Sequence, residues 1–338
     1  MNVRVLTKPS WLRWRQFIQR QEGVSFYHLD RWFKIAKESF NLQPKILVVE
    51  EKGKIIGALP LFWRKGLIGG RRLTTLPFGE AGLLSSDKIK IRLVDEATNL
   101  ARRWQANLEI FSTQKISDLP LEYYQRPEYA DYLLSTRANY EKIWQTKFHK
   151  KTRNMVRKSE RVGIKIQQSP ENDLDNFYHL YLKTMRKLGL IPLPIKVFKL
   201  TWNYFAHESC LLKAVYQAKI LGYLWVFVWR ETLWIWANAT EERYLRLGTN
   251  YALYNETIKI GCKDKRIKQI DFGGSNLDSS QEFFKLRWGG NQRLVYLISN
   301  NPQPTKKRWQ LQEAMKAMVK RLPLPILNLC GNLAYRLY

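Results

Sequence analysis

The feature that most limits how this chain can fold is an echo of itself. KIIGALPLF, from Lys54 to Phe62, aligns without gaps on KILGYLWVF, from Lys219 to Phe227. Lys, Ile, Gly, Leu and Phe recur in register at 54/219, 55/220, 57/222, 59/224 and 62/227. Each copy follows an apolar stretch and a polar turn, LVVEEKG and LKAVYQA, so each reads as the second arm of a β-hairpin. Downstream, each half offers a glycine-bearing loop, a helical segment (DKIKIRLVDEATNLARRWQ; TNYALYNETIKIGCKDK) and a closing strand (LEIF; QIDF) at an offset of 161. Matching element order around the aligned residues makes duplication the better account. The expectation is an α/β chain of two tandem units, each an α+β mixed sheet with flanking helices. The units are residues 1–135 and 136–300, with 301–338 as a tail that could complete the first. Aromatics such as Trp225, Phe227, Trp234 and Trp236 alternate along strands and belong to the core.

Charge narrows the partners. The 57 Lys and Arg against 29 Asp and Glu leave +28, more than solubility needs. Such a field attracts polyanions: nucleic acid, anionic headgroups or diphosphate-bearing substrates. Cys210, Cys262 and Cys330 show no pairing pattern, which suits a reducing cytoplasm. The amino terminus has no apolar signal region, and no run reaches the ~18 apolar residues of a membrane span. There is no nucleophile elbow, P-loop or dinucleotide glycine fingerprint. His207-x-x-Cys210 lacks a second pair and reads as structural, so neither a metal nor a bound cofactor is expected.

The densest chemistry lies in QIDFGGSNLDSSQEFFKLRWGG, Gln269 to Gly290. Ser279-x-x-Glu282 is a capping box that should start a short helix at Ser280. Gly289 and Gly290 can end it in left-handed geometry. Lys285 then falls near its carboxyl end, beside Phe284. It is either a solvated lysine facing the helix dipole or a fixed cation in a cleft, able to steady an oxyanion. Asp271 closes a strand before Gly273 and Gly274. It either bonds the turn amides or orients an incoming amine and takes its proton.

Basic and glycine-bearing segments surround this motif. In RYLRLGTNYALYNETI, Gly248 and Asn250 precede a helix whose amino end could cradle a phosphate or simply be capped there, with Arg243 and Arg246 nearby. A helix over Lys147 to Arg161 would place Lys147, Lys150, Lys151, Asn154, Arg157, Lys158 and Arg161 on one face, with Arg153 between. That face is either solvated or a seat for tRNA backbone or a lipid-linked diphosphate. Glu80, between Gly79 and Gly82, sits in a loop of the first unit. In the tail, Trp309, Leu311, Met315 and Met318 against Lys316, Lys320 and Arg321 make a basic amphipathic helix. It would pack back on the first unit or hold peripherally to an anionic membrane.

The tandem arrangement, the DFGG…FKLRWGG motif and the basic helix ending in Gly-Ile resemble the FemAB-like and BioF2-like acetyltransferase family of tandem GNAT-fold transferases. The resemblance implies direct transfer of an acyl or aminoacyl group, from aminoacyl-tRNA or acyl-CoA, onto an amine. The acceptor would be a precursor of peptidoglycan or a surface glycan, reached from the cytoplasm at the inner membrane face. It implies Lys285 and Asp271 as catalytic residues, with Phe284, Gly273 and Gly274 beside the substrate. Gly248, Arg243, Arg246, Lys150, Arg153 and Arg157 would contact the donor, and Glu80 the acceptor, although ordinary turn chemistry also accounts for Glu80. Asn250 stands where the CoA pattern has a second glycine, which weakens the CoA reading. The alternatives are a CoA-dependent N-acetyltransferase acting on another acceptor, and a binder of RNA or membrane without catalysis.

Overall fold

Both copies of the repeat form the second arm of a hairpin. The computed structural model describes residues 3–6, 11–66, 70–75, 82–117, 119, 121–300 and 306–337. The chain opens with β1 (Val3–Val5), α1 (Trp11–Arg20), α2 (Asp30–Phe40), β2 (Gln43–Glu51), β3 (Lys54–Gly66), β4 (Gly70–Thr74), α3 (Asp87–Arg103) and β5 (Asn107–Ser112). It continues through β6 (Tyr124–Ser135), α4 (Tyr140–Thr146), α5 (Lys150–Val162), β7 (Lys165–Gln168), α6 (Leu174–Leu188) and α7 (Ile195–Tyr204). The rest is β8 (Ser209–Tyr216), β9 (Lys219–Trp229), β10 (Thr232–Thr240), α8 (Thr249–Lys263), β11 (Gln269–Ser275), α9 (Ser280–Leu286), β12 (Asn291–Ser299), α10 (Lys306–Arg321) and α11 (Leu324–Leu337).

The chain divides into two compact units: residues 1–128, 294–306 and 332–338, and residues 129–293 with 307–331. In the first, β1 to β4 pair antiparallel in chain order, β4 runs parallel to β5, and the end of β12 lies antiparallel to β5. In the second, β7 to β10 pair antiparallel, β10 runs parallel to β11, and β6 lies antiparallel to β11. The plan is the same strand for strand. Each parallel pair needs a crossover, supplied by α3 and α8.

The repeated residues explain this local likeness. The ladder slips between Val49 and Glu50 in one hairpin and between Ala214 and Val215 in the other. Each bulge falls directly before the repeated glycine, where it re-aims the strand. A Cβ on Gly57 would come within 2.7 Å of Ile89, and one on Gly222 within 2.7 Å of the Thr240 hydroxyl. The register corrects one part of the alignment. Phe62 pairs with Thr74 and Thr74 with Glu109, while Phe227 pairs with Trp234 and Trp234 with Asp271. Glu109 therefore matches Asp271, one residue off the LEIF/QIDF offset, and a one-residue slip exchanges the two faces of a strand.

The unit boundaries differ from the expected ones at the sixth strands and in the tail. β6 supplies the sixth strand of the second unit and the end of β12 that of the first, so each unit's strands are completed by sequence that follows the other's. Residues 307–331 pack on the second unit, not the first. The Tyr178 hydroxyl donates to Asn328 Oδ1 at 2.9 Å, and a Cβ on Gly331 would come within 2.6 Å of the Pro192 carbonyl. In the first unit α3 covers a core of Leu47, Leu59, Leu61, Leu93, Leu108 and Ile110. In the second, Phe177 and Phe198 of α6 and α7 meet Trp225 of β9 at ring separations of 5.6 and 6.0 Å. Trp225 and Phe227 are fully buried, as their alternation suggests, whereas Trp234 and Trp236 are half-buried.

Candidate active site

β11 ends at the charged centre of the second unit. Asp271 Oδ1 accepts the Gly273 N–H at 2.7 Å, the turn bond that its position suggests. The ladder to β6 shifts register between Asp271 and Gly274, and Gly273 takes φ +73°, so the strand bulges there with two carbonyls turned toward α9. Gly274 has no room for a side chain, because a Cβ would lie 2.8 Å from the Tyr129 ring.

α9 brings the cation. Its cap is the expected one: Ser279 Oγ accepts from the Glu282 N–H at 3.1 Å. Lys285 is only 7% exposed, which excludes the solvated reading. Its Nζ donates to the Gly273 carbonyl at 2.8 Å and to the Gly274 carbonyl at 2.7 Å, and lies 5.5 Å from the centre of the Tyr132 ring. Two of its three protons are thus committed, and the third remains for another acceptor. Burial pushes the Lys285 amine down to about 8, against the pull of Asp271 and Asp131.

Asp131 of β6 is the partner that sequence reasoning missed. It is 3% exposed, as is Asp271. Arg293, from the start of β12, donates to Asp131 Oδ2 at 2.8 Å and to Asp271 Oδ2 at 3.4 Å. Burial, then the neighbouring Asp131 charge, holds the Asp271 carboxyl well above the usual range; Arg293, the Gly273 N–H and Lys285 oppose this. Two carboxylates sharing one cation do not both ionise easily. Beside them, the Tyr132 hydroxyl donates to Glu282 Oε1 at 2.7 Å. Gln292 reaches the same oxygen at 3.0 Å, and the Asp278 N–H bonds Oε2. Burial and Glu282 push the Tyr132 phenol up to about 12, so it stays protonated.

The glycines of the WGG end serve packing. Gly289 has φ +80°, and its Cβ would sit 2.6 Å from Lys147. A Cβ on Gly290 would meet Tyr132 at 3.1 Å. Trp288 is fully buried, edge-on to Phe148 at 4.9 Å. Phe284 is half-buried, packed on Tyr254 at 4.9 Å and Tyr251 at 5.3 Å.

The other expected site residues divide. Gly248 (φ +91°) opens α8 as its N-cap, yet its Cβ would meet the Met155 carbonyl of α5 at 2.9 Å. α5 therefore lies over the spot where a phosphate cradle would need open space. Asn250 Oδ1 accepts from Thr240 at 2.5 Å, which is a structural bond. Arg153 is turned inward and donates to the carbonyls of Trp144, Gln145 and Phe148 at 3.2, 3.3 and 2.6 Å. It caps α4 and is not on the basic face. Lys147 leaves that face too, since it is the C-cap of α4, and His149 caps α5 by accepting the Lys151 N–H.

Lys150 and Arg157 are exposed on α5, whose Thr152, Val156 and Ser159 face inward. Arg157 also covers the Trp144 ring at 5.6 Å and, with Asn154, Glu160 and Arg161, lines an open depression of about 750 Å³. Arg243 lies over the Tyr244 ring at 4.8 Å on the short helical turn Glu242–Leu247 that also carries Arg246. Glu80 and Gly79 lie outside the described residues. Among the described residues no cluster of three or more His, Cys, Asp or Glu could hold a metal ion.

Comparisons with known proteins agree with this architecture. Residues 117–212 match the model of the FemAB family. Among solved structures, FemX superposes with a TM-score of 0.65 at 13% identity, over 94% of this chain and 100% of FemX. L-PGS from Bacillus licheniformis superposes at 0.56 and 12% identity, over 92% and 97% of the two chains. A tandem GNAT protein from the clavulanic acid biosynthesis pathway does so at 0.53 and 12%, over 89% and 99%. No curated protein matches in sequence. The fold is thus the mixed α/β fold of the tandem GNAT proteins. Within it, the stretch 117–212 is similar to the FemAB family.

Proposed function

We propose that the protein moves an aminoacyl group from tRNA onto an amine of a cell-wall or surface-glycan precursor, by direct attack at the Lys285–Asp271 centre. One observation carries this reading: a buried ammonium, two buried carboxylates and one guanidinium converge on the double-glycine turn at the end of β11. The acceptor nitrogen attacks the ester carbonyl, and the C–N bond forms as the carbonyl electron pair moves to oxygen. The third Lys285 proton faces that oxyanion, a preorganised charge in a dry site. Asp271, poised nearer neutrality than an ordinary carboxylate, takes the proton that the nitrogen sheds. Arg293 holds Asp131 beside it through a hydrogen bond of 2.8 Å. The intermediate collapses, the C–O bond breaks, and the tRNA hydroxyl leaves with the proton that Asp271 returns.

The tRNA donor is favoured over acyl-CoA because α5 occupies the space above Gly248 and presents Lys150, Arg157 and Arg161 to solvent. Acyl-CoA is the second reading, supported by the left-handed Gly248 at the amino end of α8. The test is to give the purified protein labelled aminoacyl-tRNA or labelled acetyl-CoA, with a lysate of lipid-linked precursors as acceptor. The product's mass identifies the donor. Label arriving only from acetyl-CoA would overturn the tRNA reading, and label arriving from neither would overturn the transferase itself.

A further inference from the structure

The carboxyl-terminal helices carry an apolar face that their own packing does not use. α10 and α11 rest on the second unit through Val319, 2% exposed, and Leu327, fully buried, with Gly331 set against Pro192. On α11 the opposite face presents Ile326 and Leu329 at 48% and 56% exposure. On α10, Met315 and Met318 stand 38% and 55% exposed. A Cβ on Gly189 would lie 2.8 Å from the Lys316 carbonyl, which fixes the end of α6 against α10. Leu190, 44% exposed, therefore adds an apolar side chain next to α10. Isolated surface leucines are ordinary, but a cluster on elements already anchored by another face marks a contact surface.

The charges around the cluster select its occupant. Lys320 and Arg321 close α10, and Arg186 lies in the last turn of α6 beside Lys187, which pairs with Glu242 at 2.7 Å. The described part of the tail has Glu313 as its one acid, and Lys316 pairs with it at 2.6 Å. A second copy of this chain would set basic rim against basic rim. An anionic bilayer meets both features: apolar side chains enter the boundary of the acyl region while the cations face lipid phosphates. No described helix is long and apolar enough to cross a membrane. We infer that α10 and α11, with Leu190, form a peripheral docking surface for anionic phospholipid.

The test uses the full chain with vesicles of phosphatidylcholine, with and without phosphatidylglycerol, read by co-sedimentation at low and high salt. The parent should bind the phosphatidylglycerol vesicles and keep part of that binding at high salt. Met318→Gln with Leu329→Gln should weaken it roughly tenfold or more, from lost apolar burial. Lys320→Gln with Arg321→Gln should cost roughly tenfold and remove the lipid-charge dependence. Met318→Gln alone, at a largely exposed position, gives the same reading if the double variant melts early. Unchanged affinity in the apolar variants would reduce the binding to overall charge and overturn the inference. So would a concentration-dependent dimer, by light scattering, that Leu329→Gln dissolves. No transfer assay enters, so failure here leaves the acyl-transfer reading standing.

Discussion

Glu109 and Asp271 occupy one register position in two copies of the same sheet, yet their surroundings make them different acids. Glu109 meets Arg72, from the neighbouring strand, at 3.7 Å, and both side chains keep some solvent. Asp271 is buried near a second carboxylate and shares a guanidinium with it, at the longer of the two distances. In one unit a carboxylate is neutralised. In the other its charge is held in tension, where a small change in proton or ligand has a large effect. Duplication supplied the position, and the neighbours supplied the chemistry.

The sharpest way to break this comparison is to remove charge at both places. Asp271→Asn should lower kcat/KM by about 10²–10⁴, the usual range for a lost general base, while Glu109→Gln leaves it within about twofold. At neutral pH, Asp271→Asn should melt no earlier than the parent, since it relieves a buried like-charge pair while its side-chain oxygen still accepts the Gly273 N–H. Equal losses in turnover would show that the two acids do the same work. Next, Lys285→Met should reduce kcat by about 10²–10³ and lower stability by about 2–4 kcal/mol, because two buried carbonyls lose their donor. Loss of stability without loss of single-turnover rate would make Lys285 a strut only.

A pH profile tests the same lysine more gently. The ammonium is the working form and titrates near 8, so kcat/KM should fall about tenfold per unit above that point. Stability runs the other way. Between pH 8 and the ordinary 10.5 the unfolded chain binds more protons at this residue. Its contribution therefore rises with pH across that window and flattens in Lys285→Met. The smallest effect separates the two repeated glycines. Gly222→Ala meets the Ala239 backbone carbonyl at 2.9 Å, whereas Gly57→Ala meets only side chains of Ile89, Ser85 and Leu93. Both should destabilise by about 1–3 kcal/mol, with Gly222→Ala the costlier in denaturant titration.

What the sequence made legible was local. The bulge-and-glycine hairpin and the Ser279 cap are written in a few adjacent residues, so both emerge from pattern alone. The burial of Lys285 was not legible, because the two carbonyls that hold it depend on how Gly273 turns. Asp131 and Arg293 were invisible for a different reason. They lie far apart in sequence and meet Asp271 only because β6 and β12 arrive from opposite ends of the unit. Arg153 looked like one more cation on a basic face, and only three carbonyls at the end of α4 show it to be a cap. The family resemblance pointed to Lys285 and Asp271 but carried nothing about the second carboxylate.

The crossed closure of the two sheets has a consequence for synthesis. β5 acquires its partner from β12 only when Tyr296–Ser299 has been made, more than half the chain later. At ordinary elongation rates that interval is on the order of ten seconds or more. Throughout it the nascent first unit presents a bare strand edge to solvent, the kind of edge that recruits foreign strands. A chain stopped anywhere between the two closing strands would leave the first unit without its sixth strand.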